Sequence, residues 1–503
     1  MESVAGRLDY SNELSRDVRE SDVSGGYGYR RVYDEEDQGY GGEGDEIYYP
    51  QPQIYPPKNS RPQYYPGPNT EEYDPIYENP FLTASSSPLS TFSIDVDTAA
   101  YSNVRRFLKQ GQLPPADAVR IEEMVNYFDY NYAKPNRGEP FSVTTRGSVC
   151  PWNPNHLLVQ VGLKGNIPAQ NKIPPSNLVF LIDVSGSMNR SNKLPLLKQS
   201  LKLMVDQLRP DQQVAIVTYS GSARLVLDST SGTNKHRIHA AIDNLNAGGS
   251  TAGEAGLRLA YRIARDHYIR GGNNRVILAT DGDFNVGMKN DYELVELIKN
   301  KRQEGVFLSI LGFGSGNYKD AKMEKVADNG NGNYHYIDSL DEGRKVLVHE
   351  LGSTLFAIAK DVKIQVEFNP QHVHAYRLIG YENRLLNRQD FNNDRVDAGE
   401  IGAGHTVTAL YEVVPAGGPQ PMPYNERGVD RLKYQKSKFF KNQEMMTIKL
   451  RYKPVNANRS RLIRQVLKRS EVTDFISTDL AFASAVAEFG LLLRNSRYKG
   501  YAN

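Results

Sequence analysis

The stretch LVFLIDVSGSM, residues 178–188, places five apolar residues directly before Asp183, Ser185 and Ser187. A continuous apolar run of this length is typical of a strand buried on both faces, as in the parallel sheets of α/β proteins. In such sheets, ligands bind beyond the carboxyl ends of the strands. The stretch therefore predicts a buried parallel strand that ends in a cluster of oxygen ligands.

The chain after this strand alternates between amphipathic helix patterns and apolar strand patterns. The predicted helices are KLPLLKQSLKLMVDQL, HRIHAAIDNL, AGEAGLRLAYRIARDHY and YELVELIKNKRQEG, and the predicted strands are QVAIVTYS, RVILATDG and VFLSILGFG. Helices that alternate with near-continuous apolar strands indicate a parallel sheet covered on both faces. We therefore expect a doubly wound α/β domain with a mainly parallel sheet over residues 172–345.

Two further oxygen ligands occur at matching places in this domain. Thr251 lies in AGGSTAG just before a predicted helix, with Ser250 as a less favoured substitute, and Asp281 follows a predicted strand in LATDGD. Carboxylate and hydroxyl oxygens without imidazole or thiolate suit Mg²⁺, or alternatively Mn²⁺ or Ca²⁺. An ion held by few protein atoms keeps coordination positions that a partner's oxygen can fill.

At these residues the chain resembles the von Willebrand factor type A family, whose metal-ion-dependent adhesion site is Asp-x-Ser-x-Ser with a distant Thr and Asp. DVSGSM, GGST and TDG stand in the family's order and context over about 170 residues. Helix capping would explain each residue singly but not their joint placement. The resemblance implies that the metal ligands are Asp183, Ser185, Ser187, Thr251 and Asp281. It also implies that the ion captures an Asp or Glu side chain of a protein partner.

Two functions are compatible with such an ion. The first is a non-enzymatic binding or adhesion module, and the second is a divalent-metal-dependent hydrolase. Hydrolysis needs a positioned base or a second ion, and the only candidate base recognised near the site is Glu254. We therefore expect a metal-dependent protein-binding module and not an enzyme.

The flanks of the α/β domain extend the resemblance to nearly everything after Phe81. The segments that carry it are PLSTFSIDVDTAAYSNVRRFL, RIEEMVNYFDY and DLAFASAVAEFGLLLRNSRYKG. They are similar to a bacterial envelope group of von Willebrand A proteins with their own N-terminal segment and a C-terminal domain of unknown function. Members of that group are commonly exported or lipid-anchored, which implies a periplasmic or outer-membrane-associated location.

The start of the sequence gives this location no direct support. MESVAGRLDYSNELSRD has neither the basic n-region nor the apolar h-region of a signal peptide. No window approaches the roughly 20 consecutive apolar residues that a membrane helix requires. We therefore expect no transmembrane segment in this chain, and any membrane association would come from an N-terminal part that this sequence lacks.

Strand patterns on both sides of the α/β domain need partners. Two precede it, FSVTTRGSV and HLLVQVGLKG, and four follow it, DVKIQVEFNP, VHAYRLIGYE, HTVTALYEVVP and MMTIKLRYK. We expect the α/β domain to be inserted into one β-sandwich built from both flanks and closed by a helix within TDFISTDLAFASAVAEFGLLLRNS. Residues 81–171 would then form a helical segment plus sandwich strands, and residues 346–503 the remaining strands and the closing helix.

Residues 1–80 differ in composition from the rest of the 503-residue chain. They hold 17 Asp/Glu against 7 Lys/Arg and 12 of the 31 tyrosines, although the whole chain has a net charge of +2. So few large aliphatic side chains cannot offset the entropy of ordering. We expect a disordered, acidic Tyr/Pro/Gly-rich tether; an aromatic docking motif is the alternative.

Three other features exclude or weaken further function classes. The single Cys150 rules out an intramolecular disulfide and a Cys-based metal site. The basic stretch RSRLIRQVLKRS has no aromatic platform and fits a solvated helix or strand edge, so we expect no nucleic-acid partner. Asp95-x-Asp97 resembles the nucleophile motif of haloacid-dehalogenase-type phosphatases, but that family's later elements are not recognisable. Capping of the next helix by Asp97 or Thr98 explains the same residues.

Overall fold

The structure is a computed structural model, and its described residues are 71–169, 173–250, 253–282, 291–315, 319–350, 357–396, 398–417, 442–455, 457 and 459–502. Most of the predicted tether, residues 1–70, lies outside the described residues. The same is true of Thr251. No helix among the described residues is long and apolar enough to cross a membrane.

The strands of the described chain form three separate sheets. The strands are β1 (Leu82–Thr83), β2 (Leu89–Ser93), β3 (Phe141–Cys150), β4 (Asn153–Gly165), β5 (Ser176–Asp183), β6 (Gln212–Tyr219), β7 (Ala223–Ser231), β8 (Asn273–Thr280), β9 (Val306–Phe313), β10 (Tyr334–Ile337), β11 (Ala357–Phe368), β12 (Val373–Ile379), β13 (Ile401–Gly402), β14 (Thr406–Pro415), β15 (Glu444–Pro454) and β16 (Arg461–Lys468). The α-helices are α1 (Ala99–Lys109), α2 (Ile121–Asn126), α3 (Leu194–Val205), α4 (Lys235–Asp243), α5 (Gly253–Asp266), α6 (Asp291–Gln303), α7 (Asp320–Asn329), α8 (Leu340–Arg344) and α9 (Thr478–Leu493).

The middle of the chain forms a six-stranded sheet in the order β10-β9-β8-β5-β6-β7. All neighbouring strands are parallel except β6 and β7, which pair antiparallel. Helices α5, α6 and α7 share a buried core with one face of the sheet, and α3 and α4 share another with the opposite face. The prediction of a doubly wound, mainly parallel sheet is confirmed. We call residues 176–350 the α/β body.

The flanks form two antiparallel sheets, in the orders β1-β12-β14-β4-β3 and β13-β11-β15-β16, with β2 paired to β11. Strand β14 of the C-terminal flank pairs with β4 of the N-terminal flank along eight residues. Buried side chains of both sheets, such as Val159, Val161, Ile364 and Ile448, belong to one hydrophobic core. We call these sheets the two-sheet unit. The α/β body lies between β4 and β11 in the chain, so two connections join it to this unit.

A helical layer covers the other face of the first flanking sheet. Helices α2 and α9 share a buried core with Leu158, Ile379 and Leu410 of that sheet. Helix α9 is the closing helix expected from the sequence. The basic stretch RSRLIRQVLKRS, which precedes α9 in the sequence, forms β16. This is an edge strand of the second flanking sheet.

Residues 71–80, which the sequence analysis assigned to the tether, contact the folded chain. The Glu71 carboxylate accepts a hydrogen bond from Arg106 at 2.8 Å, and both side chains are almost fully buried. The Asn79 amide donates to the backbone oxygens of Leu378 at 3.2 Å and Gly380 at 2.8 Å. The packed chain therefore includes at least ten residues that the sequence prediction had assigned to the tether.

The N-cap of α1 is Thr98, one of the two residues expected from the sequence, but the expected capping by its side chain is not found. Its hydroxyl lies 3.1 Å from Nδ1 of His335, and Asp97 Oδ1 accepts the backbone N–H of Tyr334 at 2.8 Å. Both partners belong to β10, the edge strand of the α/β body, so tertiary contacts replace the local cap.

Arg120, just before α2, binds the α/β body through helix α7. Its guanidinium donates to Asp320 of α7 and to Glu123 of its own helix, and Glu324 lies 3.6 Å away. Asp320 and Glu123 are buried, and Arg120 has only 7% of its side chain exposed. Breaking a buried pair of this kind typically costs about 3–5 kcal/mol, so this contact fixes α7 against the flank.

Arg384, after β12, makes a second contact with the same helix. It donates to Asp328, to Glu324 at 3.2 Å and to Asp97 at 3.4 Å, and Asp95 lies 4.0 Å away. We call the whole network the ionic seam. Its members are Arg120, Arg384, Asp95, Asp97, Glu123, Asp320, Glu324 and Asp328.

The ionic seam holds six carboxyl groups against two guanidinium groups. Oxygens of Asp97, Glu123 and Glu324 lie within 4.8 Å of one another, which is also the spacing of a metal site. Each of the three has an arginine partner, however, so the group is explained as an ion-pair network. Burial raises the pKa of Asp328 to about 7, with Arg384 opposing the shift and Asp95 adding to it.

We predict that two truncations will differ in stability. Removal of residues 1–70 should leave the free energy of unfolding unchanged, whereas removal of residues 1–80 should lower it by about 3–5 kcal/mol, because Arg106 loses its buried carboxylate partner. Urea unfolding of both truncations and of full-length Glu71→Gln would measure the difference. Equal stability of the two truncated chains would contradict the prediction.

Candidate metal-binding site

The three central strands of the parallel sheet end at one edge. Strand β5 lies between β6 and β8, and Asp183 at its end pairs in register with Tyr219 at the end of β6. Strand β8 ends at Thr280, and Asp281 follows it directly. Parallel pairing therefore brings polar side chains from three strands to the same carboxyl edge, as the sequence predicted for Asp183 and Asp281.

Asp183 is fully buried and held by hydrogen bonds to both of its oxygens. Oδ1 accepts the backbone N–H of Ser185 at 2.8 Å, and Oδ2 accepts from Tyr219 Oη at 3.2 Å and Thr280 Oγ1 at 3.4 Å. Burial raises the pKa of Asp183, the hydrogen bonds from Ser185 lower it, and the nearby charge of Asp281 raises it further. The carboxylate is thus fixed in position and lies near a second negative charge.

Two hydroxyl groups come from the turn that follows β5. A short 3₁₀ helix, Gly186–Asn189, begins directly after Ser185. The hydroxyl oxygens of Ser185 and Ser187 lie 3.0 Å apart. Ser185 is buried and Ser187 is exposed, so the turn presents one inner and one outer hydroxyl beside Asp183.

Thr251 cannot be placed, because it lies outside the described residues. The loop before it is described and is tied to the turn after β5. Gly248 donates its backbone N–H to the oxygen of Val184 at 2.7 Å, and Gly186 donates to the oxygen of Gly249 at 3.1 Å. The backbone two residues before Thr251 therefore lies at this edge, and its ligand role stays a prediction.

Asp281 forms a buried ion pair that no sequence pattern predicted. The Lys193 ammonium donates to Asp281 Oδ2 at 2.7 Å, with 3% and 0% of the two side chains exposed. Gly314, with φ of +80°, makes room for the lysine, since a Cβ there would lie 2.2 Å from Lys193 Cε. The only sequence signal is a lysine directly before α3, eight residues after Ser185.

The described donor set fits a divalent ion. It consists of two carboxylates and two hydroxyls, all hard oxygen donors of the kind that Mg²⁺, Mn²⁺ and Ca²⁺ prefer. Lys193 offsets one of the two carboxylate charges, which leaves a net charge of about −1 for Asp183, Asp281 and Lys193 together. A cation at this edge would reduce the repulsion between the two carboxylates.

Glu254, the candidate base of a hydrolase, has a surface role in this structure. It lies in the first turn of α5 with 37% of its side chain exposed. Its Oε1 accepts a hydrogen bond from Arg258 Nε, one helical turn later, at 2.9 Å. Such i,i+4 pairs are ordinary features of exposed helices, so this contact does not indicate a catalytic role for Glu254.

Sequence profiles of three protein families match consecutive parts of the chain. The profile described as von Willebrand factor matches residues 67–160, and the von Willebrand factor type A domain matches residues 177–348. The profile described as the C-terminal region of the uncharacterized protein YfbK matches residues 353–503.

Individual proteins and a solved structure are also similar to the chain. The chain is 45% identical over 442 residues to the uncharacterized protein YfbK of Escherichia coli, covering 86% of this chain and 75% of that protein. It is 31% identical over 167 residues to human inter-alpha-trypsin inhibitor heavy chain H4, covering 31% of this chain and 18% of that one. A solved structure titled von Willebrand factor type A from Catenulispora acidiphila aligns with a TM-score of 0.40 at 18% identity, covering 72% of this chain and 80% of its own.

We predict that Lys193→Met will destabilise the metal-free protein. The substitution leaves Asp281 buried without its counter-charge, so the free energy of unfolding in EDTA should fall by about 3–5 kcal/mol. Lys202→Met is the matched control, because Lys202 lies in α3 and pairs with Asp243 at the surface. Urea unfolding would measure the free energy of unfolding of both variants. An equally small decrease in the two would mean that the buried pair contributes nothing to stability.

Proposed function

Because the chain belongs to the von Willebrand factor type A family, in the group that shares the C-terminal region of YfbK, we propose that it binds a protein partner through a divalent ion at the carboxyl edge of the parallel sheet. Domains of this family are metal-dependent protein-interaction modules. The observation that carries the proposal is the convergence of Asp183, Ser185, Ser187 and Asp281 at that edge. Their oxygens come from two neighbouring strands and one turn.

The ion would be held by the residues with the sequence-predicted ligand roles. These are Asp183, Ser185, Ser187, Thr251 and Asp281. The two carboxylates supply charge, and the hydroxyls supply geometry and ligand positions. When bound, the ion supplies a Lewis-acidic coordination position that an Asp or Glu side chain of the partner can fill. Mg²⁺ is the proposed ion, with Mn²⁺ and Ca²⁺ as alternatives.

The exposure of the turn supports an approach of the partner from the solvent side. Asp183, Ser185 and Asp281 are buried, whereas Ser187 and Arg190 are exposed. A partner carboxylate that reaches the ion would therefore pass the exposed turn. Arg190 adds a positive charge there, which favours acidic partners through long-range attraction.

A divalent-metal-dependent hydrolase is the alternative function. Glu254 is the only base that the sequence offered, and its hydrogen bond to Arg258 favours the binding role of the site. A hydrolytic screen with Mg²⁺ or Mn²⁺ discriminates the two functions. Turnover that is lost in Asp183→Ala and in Glu254→Gln would establish the hydrolase and overturn the binding module.

We predict that the purified chain binds Mg²⁺ or Mn²⁺ and that Ser187→Ala weakens this binding at least about tenfold, or about 1.4 kcal/mol. Ser187 is exposed, so the substitution should leave the thermal unfolding of the metal-free protein unchanged. Ser191→Ala, an exposed serine four residues later, is the matched control. Isothermal titration calorimetry would measure the affinities, and wild-type affinity in Ser187→Ala would remove this residue from the site.

We further predict that partner binding requires the same ion. Affinity capture from the native organism with the full chain should recover partners in Mg²⁺ that are absent in EDTA and absent with Asp183→Ala. Binding should also fall when the partner's critical Asp or Glu becomes Asn or Gln, because the amide lacks the charge that offsets the ion's desolvation. Unchanged affinity for a purified partner in EDTA and with Asp183→Ala would mean that the partner surface lies elsewhere on the chain.

A further inference from the structure

A partly enclosed cavity of about 230 Å³ lies between the α/β body and the flanking segments. Arg275 and Asp328 line it from the α/β body, and Arg384 and Glu400 line it from the other side. Arg275 is the third residue of β8, and Asp281 follows the end of that strand. At about 3.3 Å per residue, some 20 Å separate the cavity from the candidate metal site along the sheet. The cavity is therefore independent of the proposed metal-dependent function.

Arg275 is a buried cation without an ion-pair partner among the described residues. Only 3% of it is exposed. Its Nη1 donates to Ser309 Oγ at 2.6 Å, but its Nε has no hydrogen-bond partner within the described part of the chain. Burial lowers the pKa of Arg275 to about 10, and the charge of Glu400 partly opposes this shift. A buried donor without an acceptor is costly, so this guanidinium calls for an anionic acceptor in the cavity.

Asp328 presents the complementary group on the same cavity. One carboxylate oxygen, Oδ2, accepts a hydrogen bond from Arg384. The other, Oδ1, is buried and lacks a hydrogen-bond partner in the described ranges. The pKa of about 7 means that this carboxyl is mainly ionised at pH 8. Its free oxygen calls for a cationic donor.

The other charged groups of the cavity wall already have partners. Arg302 donates to the Asn331 side-chain oxygen at 2.9 Å, and the Asn331 amide donates to Glu400 at 3.3 Å. Arg384 is held by the carboxylates of the ionic seam. Arg275 and Asp328 are therefore the charged residues of the wall that determine what the cavity can recognise.

We propose that this cavity binds a small zwitterion that carries one carboxylate and one ammonium group, as an amino acid does. The carboxylate accepts a hydrogen bond from Arg275, and the ammonium donates to Asp328. The volume is sufficient, because an engineered protein cavity of about 150 Å³ holds benzene. The occupant pairs with both charged residues at once and binds only the folded chain, so it stabilises the folded state.

Thermal unfolding and calorimetry of the full chain at pH 8 in EDTA test this proposal without involving the metal site. The probes are glycine, β-alanine, 4-aminobutyrate and 6-aminohexanoate, which separate the two charges by increasing distances. Acetate and methylammonium carry one charge each. At saturating concentration, the zwitterion of matching length should raise the unfolding midpoint by several degrees, while acetate and methylammonium should not.

Variants assign the binding to the two residues. Arg275→Gln and Asp328→Asn should each weaken binding of the best zwitterion at least about tenfold. Arg270→Gln, an exposed arginine of the α/β body, should leave it unchanged. Circular dichroism and retained Mg²⁺ binding would show that the variants fold. If Arg275→Gln does not fold, Asp328→Asn alone decides the outcome. The proposal is overturned if no zwitterion binds, if acetate binds as tightly, or if binding survives unchanged in the folded variants.

Discussion

The ion pairs of Arg120 and Arg384 with helix α7 are the contacts on which the arrangement of this protein depends. Two chain connections alone would let the α/β body turn relative to the two-sheet unit. The arginines bind Asp320, Glu324 and Asp328 on successive turns of the helix, so they fix both its position and its direction. Burial raises the pKa of Asp328, and the nearby carboxyl groups of Asp95 and Glu324 add to this shift against the opposing charge of Arg384. The ionic seam thus fixes the orientation of the α/β body, and it leaves unneutralised negative charge beside the cavity.

The candidate metal edge is organised before any ion arrives. Three hydrogen bonds hold the Asp183 carboxylate, and Lys193 holds Asp281. Side chains that are already ordered lose little entropy on binding. Lys193 also sets the net charge of this edge. It prevents two buried carboxylates from facing each other uncompensated, and it leaves enough negative charge for a cation. The edge and the cavity lie at opposite ends of β8, so the two proposed ligands use separate surfaces.

Sequence patterns predicted the elements whose periodicity is set by burial. The apolar runs gave β5, β6, β8 and β9, because a strand covered on both faces must be apolar throughout. Strand β7 was not predicted, since it is an edge strand whose exposed residues break the pattern. Thr98 occupies the expected N-cap position of α1, but its hydroxyl pairs with His335, which is distant in sequence, and not with the helix backbone.

The sequence alone determined the family resemblance, the doubly wound sheet and the residues at the carboxyl edge, because strand ends and short motifs are local properties of the chain. The structure places Asp183, Ser185 and Ser187 together at that edge, while Thr251 stays outside the described residues. Only the tertiary structure revealed the Lys193–Asp281 pair, the ionic seam and the cavity. The residues that pair are distant in sequence: Arg384 and Asp328 are 56 positions apart, Lys193 and Asp281 88, and Arg120 and Asp320 200. No periodicity records which distant charge will meet which once the chain is packed.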